Sequence, residues 1–334
     1  MDFYTKLARK PQTFLAVTGM QLHTFKKLLP QFEAAYLKLD AQRKQKTVRS
    51  GSTRLRPLGG GRPFNNDLAN RLLMPLLYYR LYLTQDFLTL LFKAADKSLI
   101  CRGIQQMRLV FDAVLPLPER ARQRLLSLAK AESERRKKRI GNIEEFREAY
   151  PELTFIIDGV EQPRRKPKDK LKRKSDYSGK KKRHTRKQLI TTTPSGIIVD
   201  QSPSVGGRTH DFQAFKDDHK QRGVINEFKE HRVSFYGDSG FQGMADMGLP
   251  VEVRLIERAR RNRPLMREQK KLNQLRAATR VKVEHTISRR KKYRIAAEEY
   301  RNRDCDYDQT MRIVDGLVNL RAYERIFQRT GVQL

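Results

Sequence analysis

Leu153-Thr154-Phe155-Ile156-Ile157-Asp158-Gly159 is the stretch whose reading decides the fold. Its five leading residues are short, apolar and rich in β-branching, so they predict a buried strand that ends on an acid. Val233-Ser234-Phe235-Tyr236-Gly237-Asp238 repeats the pattern. Between them, Gln188 to Thr193 and Gly196 to Val199 flank Pro194-Ser195, which fits a hairpin. Asp211 to Lys220 suits a short helix, with Asp211 as its N-cap. Pro264 suits the first turn of a long helix running to about Tyr293. Strands first and then a helix, with acids at two strand ends and Glu284 in the helix, describe a mixed α/β domain whose site lies along one edge of its sheet.

Upstream the pattern is helical. Thr18-Gly19-Met20-Gln21 can cap a first helix through Phe25, Leu28, Leu29 and Phe32. A break follows at Gly59-Gly60-Gly61-Arg62-Pro63. Asp67 to Leu81 carries Leu68, Leu72, Leu76 and Leu77 at helical spacing, with Pro75 as a possible kink. Thr84 can cap a short helix to Phe92. A third helix, about Ser98 to Val114, aligns Ile100, Ile104, Met107 and Phe111 on one face. Its polar side shows Lys97, Arg102, Gln105 and Gln106. Short helix, tight turn and helix with a polar face outline a helix-turn-helix that reads DNA with those four residues. An ordinary helical bundle with a solvated face fits the same pattern. Glu119 to Tyr150, with Arg135 to Arg139 all basic, reads as a charged helical connector.

The 334 residues hold 71 Lys and Arg against 37 Asp and Glu, a formal charge of +34. Such a surplus predicts a polyanionic partner, because each neutralised phosphate releases condensed counterions. No apolar run approaches the roughly 20 residues of a spanning helix, and the first 18 residues have no signal-peptide shape. Cys101 and Cys305 make neither a zinc site nor a disulfide framework, which suits a reducing, cytoplasmic and nucleoid-associated setting. The charge concentrates in Arg164 to Lys187, with 14 Lys or Arg against two Asp. Within that run Lys180, Lys181, Lys182, Arg183 and His184 are candidates to position phosphates without reading bases.

Three acids are conspicuous in so basic a chain. Two divalent cations about 3.5–4 Å apart can activate a nucleophile and stabilise a leaving oxygen on a phosphodiester. Mg²⁺ needs only a few carboxylates plus the substrate's own oxygens. Asp158, Asp238 and Glu284 are therefore candidates to hold metal and to catalyse. Each acid alone also suits a turn residue or a helix ion pair.

The motifs go further. Phe155-Ile156-Ile157-Asp158-Gly159-Val160-Glu161, Tyr177-Ser178-Gly179-Lys180-Lys181-Lys182-Arg183-His184-Thr185, Gly207-Arg208-Thr209-His210-Asp211, Gly237-Asp238-Ser239-Gly240-Phe241, and Asn273 followed by Arg280-Val281-Lys282-Val283-Glu284-His285 occur in this order. Together they resemble insertion-sequence transposases of the DDE superfamily, in the bacterial group related to the Harbinger elements. The resemblance covers most of Gly59 to Tyr300 and implies an RNase H-like core. It makes Asp158, Asp238 and Glu284 the acid triad, with two Mg²⁺ or Mn²⁺ ions as cofactor. It also implies an Arg four before the Glu and a basic residue seven after it, here Arg280 and Lys291. These spacings share one helix face with Glu284, where both side chains can meet phosphates. A related signature has Tyr seven before the Glu, where this chain has Ala277. Asp211 is the rival for second acid, and no chemical role follows for His210.

The expected organisation is an N-terminal helical segment over 1–58, a helix-turn-helix domain over 59–118, a charged linker over 119–150 and an RNase H-like catalytic domain over 151–325. The expected function is a transposase. It binds double-stranded DNA at terminal inverted repeats, cleaves with metal and joins strands to target DNA as a homodimer or larger assembly, without a membrane. A non-catalytic DNA-binding protein derived from a transposase is the alternative. An RNA-associated protein ranks below both, since no RNA-binding module is legible.

Overall fold

The computed structural model describes residues 2–49, 66–136, 154–231, 233–257, 259 and 264–330. The glycine-rich break at 59–63 lies outside them. The chain divides into two compact units, residues 1–115 with 293–295, and residues 116–292 with 296–334. No helix among the described residues is long and apolar enough to cross a membrane.

The first unit is all helical: α1 (Phe3–Ala8), α2 (Pro11–Thr18), α3 (Leu22–Arg49), α4 (Leu68–Leu81), α5 (Gln85–Phe92) and α6 (Lys97–Val114). Thr18 does not start the long helix as expected. It ends α2, its hydroxyl donating back to the Phe14 carbonyl at 2.6 Å, and Gly19 takes the left-handed C-cap. α4 is the central helix, with Ala69 to Tyr79 all buried and Pro75 inside it. Thr84 caps α5 as expected, and Asp96 caps α6, its carboxylate accepting from the Ser98 and Leu99 amides. Ile100, Ile104, Met107 and Phe111 face inward, and Phe32 meets Phe111 edge-on at 5.4 Å.

The second unit opens with α7 (Pro118–Arg136). This helix is more than a connector: Ala121, Leu125 and Ala129, spaced by four, join the core of this unit. Arg122 is buried on the same helix, bonding Glu227, Asp200 and the Val199 carbonyl. Then come β1 (Thr154–Pro163), α8 (Lys170–Asp176), β2 (Tyr177–Ser178), β3 (Arg183–Thr192), β4 (Ile198–Gln201), β5 (Val205–Gly206), α9 (Asp211–Arg222), β6 (Ser234–Gly237), β7 (Glu252–Leu255), α10 (Arg267–Lys291) and α11 (Tyr307–Thr330). The described strands form one mixed sheet in the order β2-β3-β1-β6-β7, with β4 and β5 also on β3. β1 runs antiparallel to β3 and parallel to β6. This is the mixed α/β, RNase H-like architecture expected, preceded by an all-helical region.

Alternation along β1 sorts its two faces. Phe155 and Ile157 enter a core with Leu189, Val199, Phe215, Phe228 and Phe235. Ile156, Asp158 and Val160 point to the other face, where α10 lies. α10 is anchored there by Arg290, which is 1% exposed; its Nε donates to Asp315 on α11 at 2.7 Å and a terminal nitrogen donates to Gln188 of β3 at 3.0 Å. The helix starts after Met266, so Pro264 precedes it rather than occupying its first turn.

Candidate active site

Asp158 does not end its strand. β1 continues to Pro163, because Gly159 to Pro163 go on pairing with β3. What ends at this level is β6. The parallel register aligns Thr154 with Ser234 and Ile156 with Tyr236. That offset equals the 80 residues separating Asp158 from Asp238, so the two acids come level where β6 stops. Asp238 turns into a short 3-10 segment, its Oδ1 accepting from the Gly240 amide at 2.7 Å. The Gly159 amide donates to Asp158 Oδ1 at 2.8 Å.

α10 supplies the wall above. Arg280, Glu284, Ile287, Ser288 and Lys291 line a cleft of about 790 Å³ together with Asp158, Asp238, Asp211, Lys180 and Lys181. Glu284 is half-exposed and bonds Arg280 at 2.7 Å. Among the described residues no three His, Cys, Asp or Glu side chains are gathered closely enough to hold a metal ion. Asp238 and Asp211 both act on Asp158, and Glu284 faces the same cleft while paired to Arg280 of its own helix.

Burial pushes the Asp158 carboxyl up to about 6, against its Gly159 hydrogen bond; Asp238 raises it further, Arg280 lowers it and Asp211 adds a smaller rise. An all-oxygen donor pair of this kind suits a hard divalent ion such as Mg²⁺, which needs one or two carboxylates and takes its other oxygens from water and phosphate.

Asp211 is the first residue of α9, not its cap; His210 is the N-cap and accepts from the Phe212 amide. Asp211 lies over Gly159, where a Cβ would come 2.9 Å from its Oδ1. Lys187 reaches it at 2.8 Å, stands 3.5 Å from Glu161 and donates to the Thr209 carbonyl at 2.6 Å. Glu161 and Lys187 line the cleft too, and sequence reasoning assigned neither a separate role. Lys187 was hidden in the basic run, where composition cannot tell a buried lysine from an exposed one.

The remaining basic candidates separate. Lys180, Lys181 and Lys182 are exposed at the tip of the β2–β3 hairpin, Lys182 with a left-handed φ of 54°. Arg183 begins β3 at the surface, and His184 faces away from the cleft beside Tyr177. Arg164, at the start of the basic run, is an internal tie to Asp176 and Asp304. On α6, Lys97, Arg102 and Gln105 are exposed, Arg102 folding back on the Ser98 carbonyl. Gln106 is not free to read bases, because it accepts from Arg71 at 2.8 Å.

Residues 157–319, which span this sheet and both helices behind the cleft, match the model of the DDE superfamily endonuclease family. Over this segment, a little under half of its length, the chain is similar to that family. It is also 30% identical, over 169 residues, to a probable transposase for insertion sequence element IS702 from Microchaete diplosiphon. That match takes in 50% of this chain and 57% of the other, little more than half of the relative's length. No solved structure matches. DDE enzymes generally use divalent metal ions, which agrees with a cleft where two aspartates share one strand level.

Proposed function

We propose that this protein is an insertion-sequence transposase that binds the terminal inverted repeats of its element, cleaves DNA strands there and transfers the freed ends to target DNA. The observation that carries the reading is the level pairing of Asp158 with Asp238 in a cleft walled by Arg280, Lys291, Lys180 and Lys181. Acids at the floor and cations at the rim suit a phosphodiester. Two Mg²⁺ or Mn²⁺ ions held by Asp158, Asp238 and Glu284 would activate the attacking oxygen and stabilise the leaving one. Glu284 joins them by turning from Arg280, whose guanidinium is then available to a phosphate. Lys291 and the hairpin lysines orient the strand. Bringing two ends together calls for two or more copies of the chain. The deciding experiment is nicking of a supercoiled plasmid by the full chain with Mg²⁺; an absence of metal-dependent nicking sinks the reading.

Two further outcomes are expected. Lys291→Ala slows cleavage roughly 10- to 100-fold, the usual cost of one hydrogen bond to a charged group, and keeps the metal requirement, since a charged lysine cannot ligate a cation. Single-turnover rates with parent and variant check it, and equal rates would remove Lys291 from the site. On α6, Arg102→Ala with Gln105→Ala relaxes discrimination between end DNA and random DNA, a bidentate base contact being worth about 1–3 kcal/mol. Competition binding measures this; an unchanged preference would make α6 an ordinary bundle helix.

A further inference from the structure

The β2–β3 hairpin has two sides. Tyr177 pairs with His184 and Ser178 with Arg183. Alternation sends Ser178 inward to the catalytic cleft and Tyr177 outward. Outside lies a second groove of about 410 Å³, lined by Lys166, Lys170, Arg173, Lys174, Tyr177 and His184. The two acids of this segment are engaged elsewhere: Asp169 caps α8, accepting from the Lys172 amide, and Asp176 is buried against Arg164. Arg173 also serves the fold, donating to the Pro167 and Lys168 carbonyls. Lys166, Lys170 and Lys174 are left exposed.

Cations alone would suit any polyanion. Tyr177 narrows the choice. It is 43% exposed in the middle of this charge, braced by His184 with ring centroids 5.5 Å apart and planes at 73°. An aromatic ring there packs against no core, and a duplex offers it no base face, since its bases are stacked inside. An unpaired strand offers both phosphates and bases, and basic grooves with aromatic platforms are how proteins hold such strands.

We propose that this groove binds an unpaired stretch of DNA strand, phosphates on Lys166, Lys170 and Lys174 and a base against Tyr177. Lys180, Lys181 and Lys182 at the hairpin tip lead from the cleft to the groove, so a strand leaving the acids can cross the tip and be held on the far side. The inference rests on DNA being the partner. Its test is done in EDTA, where no cleavage occurs, so it can fail while cleavage stands, and the reverse.

The experiment is fluorescence anisotropy of the full chain with a labelled oligothymidylate and, separately, a labelled hairpin duplex. Tyr177→Ala is expected to weaken oligothymidylate binding roughly 5- to 100-fold and duplex binding by less than about two-fold. Tyr177→Phe restores it, since the ring and not the hydroxyl stacks. Lys170→Glu with Lys174→Glu weakens oligothymidylate binding and flattens its dependence on salt. Parental oligothymidylate affinity in Tyr177→Ala, or an equal loss on both DNAs, overturns the proposal. Far-UV circular dichroism of each variant shows whether the exposed substitution left the fold intact.

Discussion

Asp158→Asn and Asp238→Asn are each expected to lower plasmid nicking by more than about 100-fold, since even groups one step behind a metal's ligands cost 10- to 100-fold when removed. Glu284→Gln is expected to join them, because only its carboxylate can leave Arg280 for a cation. Asp211→Asn is expected to keep cleavage within about ten-fold, because Asp211 has a different partner: Lys187 already neutralises it at 2.8 Å, on the face of β1 where Gly159 rather than Asp158 points. Affinity for duplex DNA should survive in all four variants, since Lys and Arg contacts to phosphate dominate it. The contrast between Asp238→Asn and Asp211→Asn is the informative one. Normal nicking by the first and none by the second would exchange their roles and leave the level pairing of Asp158 with Asp238 without catalytic meaning.

That pairing marks how much of the site the sequence contained. Phe155-Ile156-Ile157 and Phe235-Tyr236 announce strands through local hydrophobicity, and Arg280, Glu284 and Lys291 share a helix face by spacing alone. The alignment of Asp158 with Asp238 depends on which strands are neighbours and in what register, and no local pattern carries that. Asp158-Gly159 read as a strand end because glycine usually marks a turn. Here Gly159 continues the strand, and the absence of a Cβ leaves room for the Asp211 carboxylate. The charge of α7 predicts a connector, yet Ala121, Leu125 and Ala129 decide its place; three apolar residues spaced by four are a faint signal amid arginines. Composition makes the basic run one surface, and burial divides it into internal ties such as Arg164 and Lys187 and exposed cations such as Lys170 and Lys180.

Divalent metal should govern both activity and stability, and pH should reveal which group is responsible. Nicking is expected with Mg²⁺ or Mn²⁺, none in EDTA, and little with Ca²⁺, which tolerates longer distances and looser geometry than in-line displacement needs. Burial raises the Asp158 carboxyl of the metal-free protein from 3.8 to about 6. A carboxyl raised on folding contributes stability below its unfolded value and loses it as pH rises through the folded one. Metal-free protein is therefore expected to lose on the order of 3 kcal/mol from this group between about pH 4 and pH 6. Facing it are Asp238 beyond β6 and Asp211 at the start of α9, which oppose ionisation, and Arg280 on α10, which favours it. Mg²⁺ binds the ionised form and must displace the proton, so its stabilisation grows as that proton becomes easier to lose. Melting temperature with and without Mg²⁺ should accordingly differ little near pH 5 and clearly near pH 8, and the nicking rate should rise through the same interval. Asp158→Asn should remove the pH dependence of the Mg²⁺ effect along with the activity. An Mg²⁺ effect of equal size at both pH values, or nicking that persists in excess EDTA, would mean that the two aspartates do not hold the metal, and the chemistry assigned to the cleft would fall with them.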